Sequence, residues 1–247
     1  MEDINLAGQV VIVTGASSGI GTATARLLHA AGARPVLVAR RADRLRQLSA
    51  ELDGALALPA DVTDRAVAGQ LVAAALDRHG RVDGLVNNAG VSLHTPLEQL
   101  SLDEFRTVLD LNVVAVVAMM QAVLPAMRAG RGGRIVNISS GTTRGAPPGV
   151  GAYAATKAAV NMLSAVARQE LAADGIAVSV VLPSITATEF AGSRFKLGVE
   201  MRPGMIAHSP EYVGGVILRA LRTGEERIDI PHGPEQPGFA AAGGGAG

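Results

Sequence analysis

The sequence predicts an α/β protein with a single doubly wound parallel sheet of about seven strands and helices on both faces. Two observations carry this prediction. Short, almost continuously apolar runs recur along the chain, which is typical of strands buried on both faces of a parallel sheet. They alternate with stretches of helical length, as expected for right-handed strand–helix–strand units. The length of 247 residues suits one large domain rather than two.

The elements follow in order. The apolar runs expected to be strands are residues 10–13, 35–39, 55–58, 82–86, 134–138, 177–182 and 227–230. The stretches expected to be helices are residues 21–31, 43–52, 64–79, 102–129, 152–173 and 210–221. Asp64, Ser101 and Ser209 are the expected N-caps, with Glu104 completing a capping-box spacing after Ser101 and Pro210 in the first helical position after Ser209.

The chain is expected to form one domain over residues 1–231, followed by a Pro/Gly/Ala tail at residues 232–247. The tail has little apolar content, so it is expected to be mobile.

Composition narrows the classes of function. The chain has 22 basic and 22 acidic residues, so no electrostatic argument favours nucleic acid or an anionic membrane. It has no cysteine, which excludes disulfides and thiolate metal sites. The five histidines lack ligand spacing, so no metal site is expected. The uncharged stretch of residues 111–127 is shorter than a membrane span, and no signal peptide is visible, so a buried helix and a cytoplasmic location are expected.

A glycine-rich turn directly follows the first strand and opens the first helix. In residues 14–21, Gly15, Gly19 and Gly21 remove side chains where backbone must approach a pyrophosphate. The N-terminus of the following helix then offers N–H groups and a positive dipole end to that anion. The motif in this context predicts a Rossmann-like dinucleotide site.

The end of the second strand indicates which dinucleotide binds. A carboxylate there would bind the ribose hydroxyls of NAD, but this chain has Arg40 and Arg41. A guanidinium suits a 2′-phosphate, so NADP(H) is preferred over NAD(H). The alternative is a solvated basic helix start, since Arg44 and Arg46 follow.

Tyr153 and Lys157 lie four residues apart, on one face of a predicted helix. A nearby cation favours a phenolate, so Lys157 is expected to lower the pKa of Tyr153. A phenol tuned in this way serves as a general acid or base near neutral pH. The alternative is a pair of exposed residues on a helix surface.

Together these motifs resemble the short-chain dehydrogenase/reductase family over residues 7–230. The matching motifs are residues 14–21, Asp61-Val62, Asn87-Asn88-Ala89-Gly90, Asn112, Ser139-Ser140, Tyr153-x-x-x-Lys157 and Pro183. Their spacing also fits, since Ser140 precedes Tyr153 by 13 residues and Asn112 precedes it by 41.

The resemblance implies roles for individual residues. Tyr153 matches the catalytic acid/base, and Lys157 matches the residue that tunes it and holds the nicotinamide ribose. Ser140, rather than the adjacent Ser139, matches the hydroxyl that orients the substrate carbonyl, and Asn112 matches the residue that holds a water in a proton relay. The positions that match cofactor contacts are Gly15, Ser17, Ser18, Gly19, Ile20, Gly21, Arg40, Arg41, Asp61, Val62, Asn88, Ala89, Gly90, Tyr153, Lys157, Pro183, Thr186 and Thr188.

The chain departs from the family pattern at Ser184, where the family usually has glycine after Pro183, and this leaves the geometry of that turn open. The segment after Pro183 is the family's substrate loop, so Phe190, Phe195, Met201 and Met205 form either an apolar pocket wall or, alternatively, lid packing or a partner surface. His94 either lines the substrate cleft or is a solvated loop residue.

The expected function is an NADP(H)-dependent oxidoreductase that interconverts a ketone or aldehyde and an alcohol. Alternatives are a catalytically silent NADP(H)-binding regulatory protein, an NAD-dependent alcohol dehydrogenase of the same family, and an isomerase or epimerase with transient hydride transfer. The expected partners are a small-molecule substrate and further copies of the chain, since the two long helices at 102–129 and 152–173 are apolar over broad arcs and form the dimer interface in the family.

Overall fold

The structure, a computed structural model, describes residues 3–145, 147–190, 200–202 and 204–241. Its centre is a seven-stranded parallel sheet. The strands of this sheet are β1 (Val10–Thr14), β2 (Arg34–Ala39), β3 (Ala57–Pro59), β4 (Gly84–Asn87), β5 (Gly133–Ile138), β6 (Ile176–Leu182) and β9 (Arg227–Asp229), and β7 (Glu200–Arg202) and β8 (Met205–Ile206) form a separate pair. The order across the seven-stranded sheet is β3-β2-β1-β4-β5-β6-β9. The predicted doubly wound sheet is therefore confirmed, with each predicted strand within two residues of its place.

The helices cover both faces of this sheet. They are α1 (Gly19–Ala30), α2 (Ala42–Glu51), α3 (Val67–His79), α4 (Leu102–Leu109), α5 (Ala115–Ala129), α6 (Gly151–Glu170), α7 (Pro210–Thr223) and α8 (Pro237–Ala241). Successive residues of β1 supply the two cores in turn. Val11 and Val13 join the cluster that contains Leu28 and Ile217, whereas Val10 and Ile12 join the one that contains Met119. This alternation explains why the strand is apolar at every position.

Two of the three predicted helix caps are confirmed. The Ser101 hydroxyl accepts from the Glu104 N–H at 3.4 Å, and the Ser209 hydroxyl accepts from the Tyr212 N–H at 3.1 Å. The prediction for Asp64 is wrong, because α3 begins at Val67 and the carboxylate accepts from the Ala66 N–H in a turn before the helix.

The helix predicted over residues 102–129 is present, but it is not uniform. Residues 110–114 form a π-helical turn between α4 and α5. Leu102–Ala129 is long and apolar enough to cross a membrane, yet Met119, Val123 and Met127 pack in the core against the sheet. The helix therefore fits the predicted core role, and a cytoplasmic location stays a prediction.

A pair of short strands and a short C-terminal helix were not predicted. The strands β7 (Glu200–Arg202) and β8 (Met205–Ile206) form an antiparallel pair. Helix α8 belongs to the tail that was expected not to pack. The Phe239 ring instead stacks on the Tyr212 ring at 6.4 Å, and the Phe239 carbonyl accepts from Arg219 Nη1 at 2.8 Å. The expectation overlooked this one aromatic anchor. Residues 242–247 lie outside the described residues.

Candidate active site

A cleft of about 1210 Å³ opens at the carboxyl ends of the parallel strands. The chain order reverses between β1 and β4, and ligands of doubly wound sheets bind at such a reversal. Eighteen of the twenty residues named from the sequence as catalytic or cofactor-binding line this cleft, and the other two, Gly21 and Asn112, lie immediately behind its wall. The fold therefore brings together residues that are up to 173 positions apart, from Gly15 to Thr188.

The glycine turn has a shape that larger residues would disrupt. Gly15 and Gly19 have φ of +68° and +53°, in the left-handed region. A Cβ on Gly21 would lie 2.3 Å from the Gly15 carbonyl oxygen. The Asn88 side chain holds the turn by donating to the Thr14 carbonyl at 2.9 Å and the Gly15 carbonyl at 3.3 Å.

The start of α1 is suited to an anion. Ser18 takes an extended N-cap conformation, and Ser18, Gly19 and Ile20 all line the cleft. The N–H groups of the first helical turn therefore reach the cleft together with the positive end of the helix dipole. This cradle of helix end and close glycines fits the pyrophosphate of a dinucleotide.

The two arginines at the end of β2, Arg40 and Arg41, differ in their partners and in their exposure. Arg41 donates from Nε to Ser17 Oγ at 3.0 Å and from Nη2 to Ser18 Oγ at 2.6 Å, which ties it to the glycine turn. Arg40 is 71% exposed, and its guanidinium lies 3.8 Å from the Asp61 carboxylate. The hydrogen bonds from the backbone and side chain of Thr63 hold the pKa of Asp61 below its ordinary value. Because Arg41 bonds the glycine turn, whereas Arg40 is mostly exposed and lies beside Asp61, Arg41 is the better placed of the two to hold an anion beside the turn.

Tyr153 is buried in the wall of the cleft, beside Ser140. Burial raises the pKa of Tyr153 to about 12, and its hydrogen bond with the Ser140 hydroxyl acts in the opposite direction. The sequence predicted a pKa lowered by Lys157. That prediction is wrong for this geometry, because desolvation of the phenolate is the larger effect.

Ser140 is itself held by a residue that the sequence did not single out. Its Oγ accepts from the Thr142 N–H at 3.2 Å and from Thr142 Oγ1 at 3.0 Å. Because both of these groups donate to Ser140, its own proton is left for an acceptor other than Thr142.

Lys157 lies on the same face of α6 as Tyr153. Its Nζ lies 5.9 Å from the centroid of the Tyr153 ring and donates to the Ile138 carbonyl at 2.9 Å. Burial lowers the pKa of Lys157 to about 8. The two side chains are buried in the cleft wall, so the alternative of an exposed surface pair is wrong.

Asn112 lies in the π-helical turn, a feature often found at functional sites. Its Oδ1 accepts from the Val91 N–H at 3.0 Å, and its Nδ2 donates to the Val91 carbonyl at 2.9 Å and to Thr156 Oγ1 at 3.1 Å. A Cβ on Gly90 would lie 3.1 Å from Asn112 Oδ1 and 3.6 Å from Lys157 Nζ. Asn112 thus fixes the segment after β4 close to Lys157.

The turn after Pro183 is stabilised by a buried histidine. Ser184 Oγ and His208 Nδ1 are 2.9 Å apart, and His208 Nε2 lies 2.8 Å from the Gly233 carbonyl. A carbonyl only accepts, so Nε2 carries the proton, and in the neutral ring Nδ1 accepts from Ser184. Thr186 also forms a β-bridge with His208. The departure from glycine at position 184 is therefore matched by a specific partner.

Some residues that the sequence left with two alternative roles also line the cleft. The Phe190 ring lies 6.0 Å from the Tyr153 ring, and Phe190 and Met205 line the cleft, as the first of the two alternatives for this segment expected. His94 is both exposed and part of the lining. Phe195 lies outside the described residues, and nothing is described of the Met201 side chain.

Sequence reasoning missed Thr142, Arg144, Glu189 and His232, which all line the cleft. His232 belongs to the segment that was expected to be a tail. Arg144 belongs to the segment after β5, and its Nη1 lies 3.4 Å from Asp229 Oδ1. No short-range motif marks these positions, since each depends on loops that the tertiary fold brings together. Within the described residues, no group of three or more His, Asp or Glu side chains is arranged to hold a metal ion.

Comparison with known proteins assigns the family. The sequence model of the short chain dehydrogenases matches residues 9–196, most of the chain. The chain belongs to the short-chain dehydrogenase family. It is an oxidoreductase of that family, whose members use a nicotinamide cofactor, and the predicted resemblance is confirmed.

Relatives and a solved structure agree with this assignment. An uncharacterized oxidoreductase of Methylorubrum extorquens is 38% identical over 83% of this chain and 84% of its own length. The dehydrogenase/reductase SDR family member 7B of Bos taurus is 37% identical over 94% of this chain and 75% of its own length. The crystal structure of a 3-ketoacyl-(acyl-carrier-protein) reductase from Brucella melitensis complexed with NADH has a TM-score of 0.83 and 28% identity, covering 92% of this chain and 98% of that one.

Proposed function

We propose that this short-chain dehydrogenase is an NADP(H)-dependent enzyme that interconverts a ketone or aldehyde and an alcohol, with Tyr153 as general acid/base. One observation carries the proposal. The buried Tyr153 hydroxyl is hydrogen-bonded to Ser140, with Lys157 on the same helical face, in the cleft that the glycine turn also lines.

The site's residues suit such a reaction. The bound dihydronicotinamide would supply a hydride to the carbonyl carbon. Tyr153 donates its proton to the carbonyl oxygen, which becomes the alcohol hydroxyl, and it takes the proton back in the reverse direction. Ser140 orients and polarises the same carbonyl oxygen by hydrogen bonding. Lys157, cationic below its pKa, stabilises the phenolate that remains on Tyr153.

The preference for NADP(H) is supported by Arg41. Its guanidinium bonds both serines of the glycine turn, at the end of β2, where the 2′-substituent of the adenosine ribose is expected. A guanidinium favours a phosphate dianion over a neutral hydroxyl. The Glu189 carboxylate next to Arg41 supports the alternative of NAD(H), so the two cofactors need a direct comparison.

The test combines cofactor binding with turnover. Binding is measured by titrating the purified protein with NADPH and NADH and following nicotinamide fluorescence, where the absence of tryptophan keeps the protein background low. Turnover is measured on a panel of ketones and aldehydes for the wild type and Tyr153→Phe. The substitution is expected to keep cofactor binding and lower kcat/KM by about 100-fold or more, as for loss of a general acid.

Two results would reject the proposal. Near-normal turnover of Tyr153→Phe would remove Tyr153 from the chemistry, and tighter binding of NADH than NADPH would reject the cofactor preference. Cofactor binding without turnover on any carbonyl would favour the catalytically silent regulatory protein.

Self-association is also part of the proposal. Met162, Leu163 and Val166 expose an apolar stripe on α6, and Leu102 and Val114 are exposed at the start and end of the segment that holds α4 and the π-helical turn. Exposed apolar groups on two long helices support an interface with a second copy of the chain. Light scattering in dilute solution should then give a mass above the 25.1 kDa of the monomer.

A further inference from the structure

The carboxylate of Glu189 lies between two arginines at the end of β2. Its Oε2 accepts from Arg41 Nη1 at 2.9 Å, and both of its oxygens accept from Arg44 Nη1 at 2.8 Å. These two arginines hold the pKa of Glu189 below its ordinary value, so it is a carboxylate at neutral pH. An anion of the chain itself therefore sits against the basic end of the cofactor cleft.

This contact joins three parts of the fold. Arg41 precedes α2 and bonds the serines of the glycine turn with its other nitrogens, while Glu189 belongs to the loop after β6. The preceding residue, Thr188, packs so closely on the turn that a Cβ on Gly19 would lie 2.8 Å from its Cγ2. Glu189 is thus held beside the glycine turn by its own chain as well as by its charge.

The N–H groups of Arg41 and Arg44 that donate to Glu189 cannot donate fully to a second anion at the same time. A phosphate dianion on the ribose would draw on Arg41 and Arg44, the donors that Glu189 now uses. A ribose hydroxyl is uncharged and does not require these donors. The Glu189 carboxylate therefore weakens the binding of NADP(H) and leaves the binding of NAD(H) unaffected.

We propose that Glu189 is a specificity-determining residue whose carboxylate competes with the 2′-phosphate of NADP(H) for Arg41 and Arg44. This competition makes the preference of the enzyme for NADP(H) over NAD(H) smaller than the arginines alone would give. This inference rests on the proposed function, because it requires Arg41 to contact the 2′-phosphate. The ion pairs are open to exchange with a ligand, since the Glu189 and Arg41 side chains are 52% and 41% exposed.

The experiment measures the Kd of NADPH and of NADH for the wild type and three variants, at one low ionic strength because exposed charges are screened by salt. Glu189→Gln removes the competing charge, and Arg41→Ala removes the proposed phosphate contact. Glu51→Gln is the matched control, because Glu51 is a half-exposed carboxylate paired with Arg26 at 2.7 Å, and neither residue lines the cleft.

Glu189→Gln is expected to tighten NADPH binding by roughly three- to tenfold, the scale of two exposed ion pairs, and to leave NADH within about twofold. Glu51→Gln is expected to change neither. If Arg41→Ala abolishes a preference for NADPH while Glu189→Gln binds NADPH no more tightly than the wild type, the competition is overturned and the proposed cofactor site stands. If Arg41→Ala leaves both affinities unchanged, the 2′-phosphate site of the proposed function fails. Equal tightening of NADPH and NADH in Glu189→Gln would overturn the competition as well.

Discussion

The Nζ atom of Lys157 lies 5.9 Å from the centroid of the Tyr153 ring, and both side chains are buried in the wall of one cleft. Burial acts on them in opposite directions, because it disfavours the charged form of each group. It raises the pKa of Tyr153 to about 12 and lowers that of Lys157 to about 8. Both shifts favour an uncharged pair, with the proton retained on the phenol.

The two directions of the reaction should therefore respond differently to pH. Carbonyl reduction needs the neutral phenol, which predominates far below a pKa of about 12, so Tyr153 should impose no loss of activity between about pH 6 and 10. Alcohol oxidation needs the phenolate, whose fraction increases about tenfold per pH unit below that pKa. Below about pH 8, where Lys157 keeps its charge, we expect log kcat/KM for oxidation to rise with a slope near one.

The measurement is a pair of pH profiles on one ketone and its alcohol, with Tyr153→Phe as the control that should lose the rise. If the oxidation rate rises with pH and then levels off before about pH 8, the pKa of Tyr153 is not raised in the working enzyme. This result would mean that the charge of Lys157 outweighs burial and lowers the pKa of Tyr153 in the working enzyme, as the sequence alone predicted.

Thr142 is expected to matter through Ser140. Thr142→Val removes the Oγ1 donor at 3.0 Å and keeps the N–H donor at 3.2 Å, so Ser140 loses one of two groups that direct its proton. A lost hydrogen bond of this kind costs about 1 kcal/mol, so kcat should fall about five- to tenfold while the Kd of the cofactor stays unchanged.

Thr142→Ser is the matched control, because it restores the hydroxyl and should restore kcat. An equal fall in both variants would assign the effect to packing of the loop instead. A weaker cofactor with unchanged kcat would likewise count against a positioning role.

Gly21 tests the shape of the glycine turn. A Cβ at this position would lie 2.3 Å from the Gly15 carbonyl oxygen and 2.7 Å from Asn88 Nδ2, so Gly21→Ala must displace backbone. Such overpacking costs about 1–3 kcal/mol, and it should weaken NADPH and NADH alike, because both share the pyrophosphate. Fluorescence titration and the denaturation midpoint check the two effects.

The control is Gly69→Ala in α3, where an added Cβ would meet nothing within 4 Å among the described residues. Alanine in a helix interior is favoured over glycine by about 1 kcal/mol, so this variant should be more stable with unchanged cofactor binding. Normal cofactor affinity in Gly21→Ala would show that the turn tolerates a side chain, against the geometry described.

Features that depend on residues close together in the chain could be predicted from the sequence, and features that depend on residues far apart could not. The strands, the glycine turn and the Tyr153–Lys157 pair were predictable, because each is encoded by residues close together in the chain. Glu189 was not, since its partner Arg41 is 148 positions away and nothing local marks either residue as a pair. The raised pKa of Tyr153 was missed for a related reason, because burial is a property of the packed structure and the spacing alone indicated only a nearby cation.

The C-terminal segment gives the same lesson. Its Pro, Gly and Ala composition predicted a mobile tail, yet the Gly233 carbonyl closes a chain of hydrogen bonds from Ser184 through His208. The Gly233 carbonyl bonds His208, and the Phe239 ring stacks on Tyr212 of α7. Neither group contributes much to an average over composition.

The Ser184–His208 pair leads to the last prediction. Ser184→Ala leaves the buried Nδ1 of His208 without the Ser184 hydroxyl as its partner, at a cost of about 1–3 kcal/mol in the free energy of unfolding. His208→Phe keeps a ring against Tyr212, 5.0 Å away, but loses both side-chain hydrogen bonds. Because the two substitutions break one shared interaction, the double variant should be more stable than the sum of the single effects predicts, by about 0.5 kcal/mol or more.

Denaturant unfolding of the four proteins measures this coupling. The KM for the carbonyl substrate shows whether the coupling affects the cleft, which Ser184 and His232 both line. Additive losses would mean that the 2.9 Å contact contributes nothing specific. A coupling in stability together with a raised KM in Ser184→Ala would instead show that serine at this position, where the family usually has glycine, ties the substrate side of the cleft to the C-terminal segment.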